Sequence, residues 1–190
     1  MQPHVAHDRA RDVFDRAVHQ VEDWSAPTPC ADWSTKDLVN HLVSEQLWVP
    51  HLVSGETIEQ VGDRYDGDLL GEDPVAAWTA ASAASRQAWD GVPDDREVHL
   101  GSGPAPALEY RRQMILDLAV HGWDLATATG HVALIGDDLA SALLAEFTDQ
   151  VDQWRDAGIF GAPVPVPDTA DPPTRLVALL GRDPGWHPSG

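Results

Sequence analysis

The sequence predicts an all-α fold. Several segments of helical length carry apolar residues at helical spacing, and no stretch alternates apolar and polar residues as a half-buried strand would. Proline, glycine and capping residues separate these segments. Residues 1–190 are therefore expected to form a single domain, a four-helix bundle with an additional short C-terminal helix and an extended, proline-rich tail.

The first two helices follow from apolar faces and their boundaries. The first is predicted over residues 6–24, and the prolines of APTPC end it. The second begins at a cap formed by Ser34 or Thr35 and runs to about Val53, with Pro50 as a candidate kink or early end. A polar, glycine-rich connection follows it.

The remaining elements are set by similar signals. Asp73 before Pro74 starts a third helix that stops at Gly91. Residues 92–106 are expected to form a loop with a short strand at residues 98–100. The later helices are predicted over residues 108–129, from residue 137 or 138 to residue 157, and in the final run TRLVALLG.

Ligand-type side chains break the apolar pattern of two helices. Asp117 and His121 are four residues apart, so a helix places them on one face. His41 and Glu45 lie in or at the edge of the apolar stripe of the second helix. Buried ionisable groups are costly unless they are paired or bind a metal. The pattern favours a divalent metal site of His41, Asp117 and His121, and a self-satisfied buried pair is the alternative.

Three motifs carry a resemblance to a known family. PTPCADWSTKDLVNHLV, GEDPVAAW and DLAVHGWDLATATG resemble the metal-binding domain of mycothiol-dependent maleylpyruvate isomerase, within the DinB/YfiT-like superfamily. The closing stretch FGAPVPVPDTADPPTRLVALLGRDPGW resembles a single-domain actinobacterial subgroup. The resemblance implies a zinc-type site at His41, Asp117 and His121, although the acidic ligand of the isomerase is Glu where this chain has Asp117.

Two classes of function remain open. The first is a metal-dependent enzyme of low-molecular-weight thiol chemistry, with zinc or nickel as the metal and mycothiol as co-substrate. Glu45 is then the candidate catalytic residue, with a buried salt bridge as the alternative. Arg111 and Arg112 are candidates for binding an acidic thiol cofactor, although exposed charges are the simpler interpretation. The second class is a non-enzymatic module that binds a metal or a small ligand.

Composition excludes several partners. The net charge of -19 and the pI near 4.5 argue against nucleic acid and anionic membranes as partners. The single cysteine, Cys30, is expected to be a small loop residue rather than a nucleophile. Because we find neither a signal-peptide pattern nor an apolar run of spanning length, we expect a cytoplasmic protein. The oligomeric state stays open, a homodimer included.

Overall fold

The computed structural model describes residues 1–188 of the chain. It is mainly helical with one small two-stranded sheet, which confirms the all-α prediction. No helix in this described part is long and apolar enough to cross a membrane. In chain order the elements are α1 Pro3–Val18, α2 Thr35–Ser54, α3 Ile58–Val61, α4 Pro74–Trp89, β1 Glu97–Leu100, β2 Gly103–Pro106, α5 Ala107–Ala128, α6 Asp137–Phe147, α7 Val151–Asp156 and α8 Pro172–Leu179.

Four long helices form the bundle. α1 packs along α5 and α2 packs along α4, while contacts between α2 and α5 and between α1 and α4 close the ring. The crossing of α1 and α5 is close: a Cβ at Gly122 would lie 2.8 Å from Val13 Cγ1 and 3.0 Å from the backbone nitrogen of Phe14. Only glycine fits there without a shift of α1. The helix α5 is therefore held between α1 and α2.

The start of α2 is fixed by a capping box. Ser34 accepts a hydrogen bond from the Asp37 backbone, and the Asp37 side chain accepts one from the Ser34 backbone. The helix continues through Pro50 and ends at Ser54, before Gly55 in the left-handed conformation. Pro50 therefore does not end the helix early, and the predicted end near residue 53 is confirmed.

Two predicted helix boundaries were wrong. The first helix ends at Val18 rather than residue 24, because Val21 and Trp24 pack against the core from the following loop and extend the apolar pattern beyond the helix. The predicted fifth helix is divided into α6 and α7 by the polar residues 148–150. The Thr148 hydroxyl donates to the Leu144 carbonyl at this break.

Two small elements were missed. The short helix α3 has its own capping box, formed by Thr57 and Gln60. The predicted short strand is one half of an antiparallel hairpin in which β1 pairs with β2. The sequence of β2 is Gly-Pro-Ala-Pro, and its glycine and prolines predicted a break in regular structure rather than a strand.

The C-terminal segment folds back onto the bundle. Asp171 caps α8, and α8 packs against α6. Beyond it, Gly181 has a φ of 83° and lies against Gly161 so closely that a Cβ would be 2.8 Å from the Gly161 backbone. This close contact brings the next residue, Arg182, beneath α5, where it meets Asp124.

Candidate metal centre

The three predicted ligands lie together between α2 and α5. His41 Nε2 is 3.3 Å from Asp117 Oδ2, and His121 Nε2 is 3.4 Å from Asp117 Oδ1. One ligand atom of each residue can be chosen so that all three lie within 4.8 Å of one another. The helical i,i+4 spacing places Asp117 beside His121, and the packing of α2 against α5 adds His41.

The two distances run to different oxygens of Asp117, and both are longer than the ~2.9–3.0 Å on which hydrogen bonds to nitrogen centre. Asp117 Oδ2 is also buried, and it has no hydrogen-bond partner of acceptable geometry among residues 1–188. An oxygen of this kind, aimed between two imidazoles, is compatible with a cation as its partner.

His121 is oriented from behind by Asp124. His121 Nδ1 lies 3.0 Å from Asp124 Oδ2, and Asp124 is fully buried. Arg182 donates to the same carboxylate through Nη2 at 3.0 Å and through Nε at 3.3 Å. This contact leaves His121 Nε2 facing Asp117 and His41, which is the usual arrangement behind a metal-binding histidine.

Buried charges shift the pKa values of the cluster in opposite directions. Burial alone would raise the pKa of Asp117, but the imidazoles of His121 and His41 outweigh it and hold the pKa far below its ordinary value. Burial alone would lower the pKa of His121, but the carboxylates of Asp117 and Asp124 raise it to about 9. In the metal-free protein, Asp117 is therefore ionised and His121 is protonated at neutral pH.

Trp33 covers one side of the cluster. Its ring stacks on His121 with centroids 5.6 Å apart and meets His41 edge-on at 5.0 Å. Two other tryptophans on α2 and α5 do not cover the cluster in this way. Trp48 lies against Tyr65, with ring centroids 6.0 Å apart, and Trp123 packs against the main core.

The other side opens into a cavity of about 480 Å³. His41 and Asp117 keep about 30 % and 29 % of their side-chain surface exposed, so the cluster is reachable from this cavity. Most of the remaining wall is apolar, contributed by α5 and by the segment after α6. These wall residues include Met114, Leu116, Val120, Trp154, Ala157, Ile159 and Phe160.

Glu45 and Tyr110 add polar groups to this wall. Burial and then the charge of Asp117 raise the pKa of Glu45 to about 7. The Tyr110 hydroxyl is buried, and within the described chain it has no hydrogen-bond partner. Burial, with Glu45 and Asp117 nearby, raises its pKa well above the ordinary value. A proton donor or acceptor therefore stands beside the ligand cluster at neutral pH.

The two predicted cofactor-binding arginines lie elsewhere. Arg111 is buried over the Trp89 ring, 4.5 Å from its centroid, and lines a different cavity. Arg112 forms an ion pair with Glu146 at 3.0 Å. The structure thus brings Glu45 to the ligand cluster and points both arginines away from it.

A second set of possible ligands, Cys30, His121 and Asp124, lies behind the first. Its electrostatics oppose a cation, because the Arg182 guanidinium is 3.0 Å from Asp124 and 3.7 Å from the Cys30 sulfur. Burial raises the pKa of the Cys30 thiol to about 11, so the thiolate is scarce at neutral pH. The open set of His41, Asp117 and His121 is the better candidate.

Comparison with known proteins shows which family the chain belongs to. Residues 7–126 match the family model of the mycothiol maleylpyruvate isomerase N-terminal domain. The chain belongs to this family. The uncharacterized proteins Rv0738 and MT0763, from Mycobacterium tuberculosis strains H37Rv and CDC 1551, are each 32% identical over 195 residues, which cover 96% of this chain and 98% of theirs.

Solved structures support the same fold. The chain superposes on a crystal structure of the mycothiol-dependent maleylpyruvate isomerase with a TM-score of 0.63, and on a mutant of that enzyme with a TM-score of 0.64. Each superposition has 17% sequence identity and covers 85% of this chain and 73% of the isomerase chain. The DinB-like fold predicted from the sequence is thereby confirmed.

The segment that matches the family model, residues 7–126, contains only part of the candidate site. His41, Asp117, His121 and Asp124 fall inside it, whereas Trp154, Phe160 and Arg182 lie beyond residue 126. Sequence reasoning missed these three residues. The one signal for Arg182 was indirect, because an aspartate facing inward from α5 requires a cationic or hydrogen-bonding partner.

Proposed function

We propose that this protein is a metal-dependent enzyme of low-molecular-weight thiol chemistry, of the mycothiol-dependent transferase or isomerase type. His41, Asp117 and His121 would hold one divalent ion, with zinc as the first choice and nickel as the second. The observation that carries the proposal is the convergence of these three side chains on the wall of an open, largely apolar cavity. Membership in a family named for a mycothiol enzyme supports a low-molecular-weight thiol as the co-substrate.

The bound ion would supply Lewis acidity, which lowers the pKa of a thiol or water in its open coordination position. The chain's own residues would do the rest. Asp124 and Arg182 orient His121, and Trp33 restricts its ring. Glu45 would accept or return a proton at the cavity wall, where its raised pKa suits exchange near neutral pH. The cation itself would lower that pKa, since it favours the ionised carboxylate.

The apolar wall indicates the nature of the second substrate. Trp154, Ile159 and Phe160 line the same cavity as the ligand cluster, so an apolar or unsaturated carbon skeleton suits this part of its wall. His41, Asp117 and His121 would hold the metal, which would supply Lewis acidity to a bound thiol in the same cavity as the second substrate. A thiol-dependent reaction also implies a reducing compartment, in keeping with the cytoplasmic location expected from the sequence.

The alternative is a binding module without catalysis. One observation favours this alternative. The negative charge of Asp117 lies beside the imidazoles of His41 and His121, which can balance it without a metal. Thiol access to the metal separates the two functions. A catalytic site keeps an exchangeable coordination position, whereas a purely structural site is closed by four protein ligands.

Titration of the cobalt-substituted protein with mycothiol, or with a simpler thiol, tests the proposal. We expect a sulfur-to-cobalt charge-transfer band that saturates with the added thiol and persists in Cys30→Ser, because Cys30 lies behind the ligand cluster with a raised pKa. Absence of the band with every thiol would remove the thiol function. A band that requires Cys30 would show that the second ligand set binds the metal.

Metal binding should release protons at neutral pH. His121 has a pKa of about 9 in the metal-free protein and must be neutral to bind a metal. We therefore expect about one proton from His121, and up to about half a proton more from Glu45, to be released per zinc bound at pH 7, with an apparent affinity that rises as pH increases toward 9. Calorimetry in two buffers of different ionisation enthalpy measures this number. Zinc binding without proton release at pH 7 would mean that His121 is not a ligand.

A further inference from the structure

The cavity beside the ligand cluster has no lysine or arginine in its wall. The chain has 12 Lys and Arg residues, and within residues 1–188 none of them lines this cavity. The wall has four ionisable residues, His41, Glu45, Asp117 and His121. Most of the other wall residues are apolar, and the polar ones, Ser102, Tyr110 and Gln113, are uncharged. A bound molecule therefore meets carboxylates and imidazoles here but no guanidinium or ammonium group.

The arginine that follows a wall residue on α7 holds the backbone instead. Arg155 comes directly after Trp154, which lines the cavity. Its guanidinium pairs with Asp152 and donates to the carbonyl oxygens of Gly161 at 3.1 Å and Leu179 at 3.3 Å. All three guanidinium nitrogens are thus engaged with protein groups. A ligand in the cavity would have to break these contacts to gain the cation.

Three further arginines lie close to wall residues and are also engaged elsewhere. Arg112 pairs with Glu146 at 3.0 Å, and Arg182 pairs with the buried Asp124 at 3.0 Å. Arg111 lines a different cavity. The ion pairs and packing of these arginines therefore keep cations out of the wall.

The charges of the wall sum to zero or less. With a divalent ion bound, the two ligating imidazoles are neutral, so Asp117 and a bound thiolate balance the ion, and Glu45 adds negative charge when it is ionised. In the metal-free protein at pH 8, both carboxylates are ionised, since the pKa of Glu45 is about 7 and that of Asp117 is far lower. Even two protonated imidazoles would only balance them. No excess positive charge is available to a bound anion.

An ion that enters this cavity must leave water for a largely apolar wall. This transfer is costly for a carboxylate unless a cation compensates it. The net charge of -19 adds a long-range repulsion of anions. An ammonium group would meet Glu45, but it too must lose its water against apolar residues such as Val120 and Phe160. An uncharged molecule avoids these costs.

We infer that the second substrate of the proposed thiol reaction is an uncharged, largely apolar molecule, and that the cavity discriminates against carboxylates. The volume of about 480 Å³ suits a small molecule. Ser102 offers an uncharged hydrogen-bonding group for a neutral carbonyl or amide. The role of this molecule as a substrate rests on the proposed function, whereas the preference for neutral ligands depends only on the residues of the wall.

Probes of nearly the same shape and different charge test the inference. We titrate 4-fluorobenzamide, 4-fluorobenzoate and 4-fluorobenzylamine at pH 8 and follow their ¹⁹F resonances, both in the metal-free protein and in the zinc protein saturated with mycothiol. The amide should bind at least about tenfold more tightly than the benzoate in both forms, because the benzoate loses water without gaining a charge-assisted hydrogen bond. The amine should also bind more weakly than the amide.

Ile159→Arg should reverse the discrimination. Ile159 lines the cavity and is 61% exposed, so an arginine can be accommodated there. We expect benzoate affinity to rise at least about fivefold, because the guanidinium supplies the missing cation, with little change for the amide. Val132→Arg is the matched control, since Val132 is 84% exposed and lies outside the wall; it should change neither affinity. If Ile159→Arg does not fold, Ser102→Arg makes the same addition at another exposed wall position.

The inference and the proposed function can fail separately. Benzoate or amine binding as tight as amide binding in the metal-free protein would overturn the inference, whatever the thiol does. Absence of saturable amide binding would also overturn it, as would equal effects of the wall arginine and Val132→Arg on benzoate affinity. Loss of the cobalt–thiol band alone would remove the thiol function and leave the preference of the wall for neutral ligands intact.

Discussion

His121→Ala is expected to lower zinc affinity by about a hundredfold or more, because replacing even a residue behind a metal ligand typically lowers affinity by ~10–100-fold. His121 sits at the centre of the cluster, beside Asp117 and in contact with Asp124. His41→Ala should have a comparable effect, since two remaining ligands hold a zinc ion poorly. Equilibrium competition with a chelator of known affinity measures the loss.

Both variants should keep their helical circular dichroism. The bundle is stabilised mainly by a large apolar core, in contrast to a zinc finger that folds only with its metal. His121→Asn is a milder variant, because its amide nitrogen takes the place of His121 Nδ1 and can still donate to Asp124. His131→Ala is the control, as His131 is exposed and lies outside the cluster. Unchanged zinc affinity in the His121 variants would remove His121 from the ligand set, and unfolding would make any metal structural.

Two of the three residues of the ligand cluster were predictable from short-range geometry. The spacing of Asp117 and His121 fixes their contact as soon as the segment is helical. His41 was found because an imidazole interrupts an apolar stripe on another helix, and such interruptions mark functional positions. The bounds of α5 were also predictable. The predicted start at residue 108 and the predicted end before Gly130 agree with the structure within a residue or two.

The surroundings of the cluster depend on contacts that are distant along the chain. Arg182 meets Asp124 across 58 residues, and this contact requires the close approach of Gly161 and Gly181. Trp154 and Phe160 reach the cavity because the predicted fifth helix breaks and the chain turns back. No local pattern in the sequence encodes these long-range positions.

Arg111 shows why a basic residue close to a site in the sequence is a weak indicator of cofactor binding. It lies six residues before Asp117, which rotates it by roughly 120° around the helix from that ligand. The sequence showed a basic residue close to the helix face that carries Asp117 and His121, but the side chain lies over the Trp89 ring and lines a different cavity. Family membership would not correct this assignment either, because a fold can carry different sites in different members.

Arg182→Leu is expected to destabilise the protein by up to about 3–5 kcal/mol, because it removes the guanidinium and leaves the buried Asp124 carboxylate with the His121 imidazolium alone. Asp124 has no exposed surface, and Arg182 contributes three hydrogen bonds to its two oxygens. For a chain of this length, such a loss corresponds to a decrease in Tm of roughly 6–20 °C. Thermal unfolding followed by circular dichroism at pH 7 measures it.

The pH dependence identifies the carboxylate as the cause. Burial alone would raise the pKa of Asp124, but Arg182 and His121 outweigh it and lower the pKa below its ordinary value. This group therefore stabilises the wild-type protein above about pH 4 and ceases to do so as pH falls through its lowered pKa. In Arg182→Leu the carboxylate can be protonated at higher pH, so the difference in Tm between the two proteins should be greatest near pH 7 and shrink toward pH 4.

Two further variants separate this ion pair from a general effect of losing an arginine. Arg175→Leu makes the same change at an exposed position of α8 and should leave Tm within a few degrees of the wild-type value. Arg182→Lys keeps the charge but cannot reproduce the contact of Nε and Nη2 with one carboxylate, so its Tm should lie between the other two. Because Asp124 orients His121, zinc affinity should also fall by roughly 10–100-fold in Arg182→Leu. Equal Tm values for Arg182→Leu and Arg175→Leu, at every pH, would show that the buried pair does not connect the C-terminal segment to the candidate metal centre.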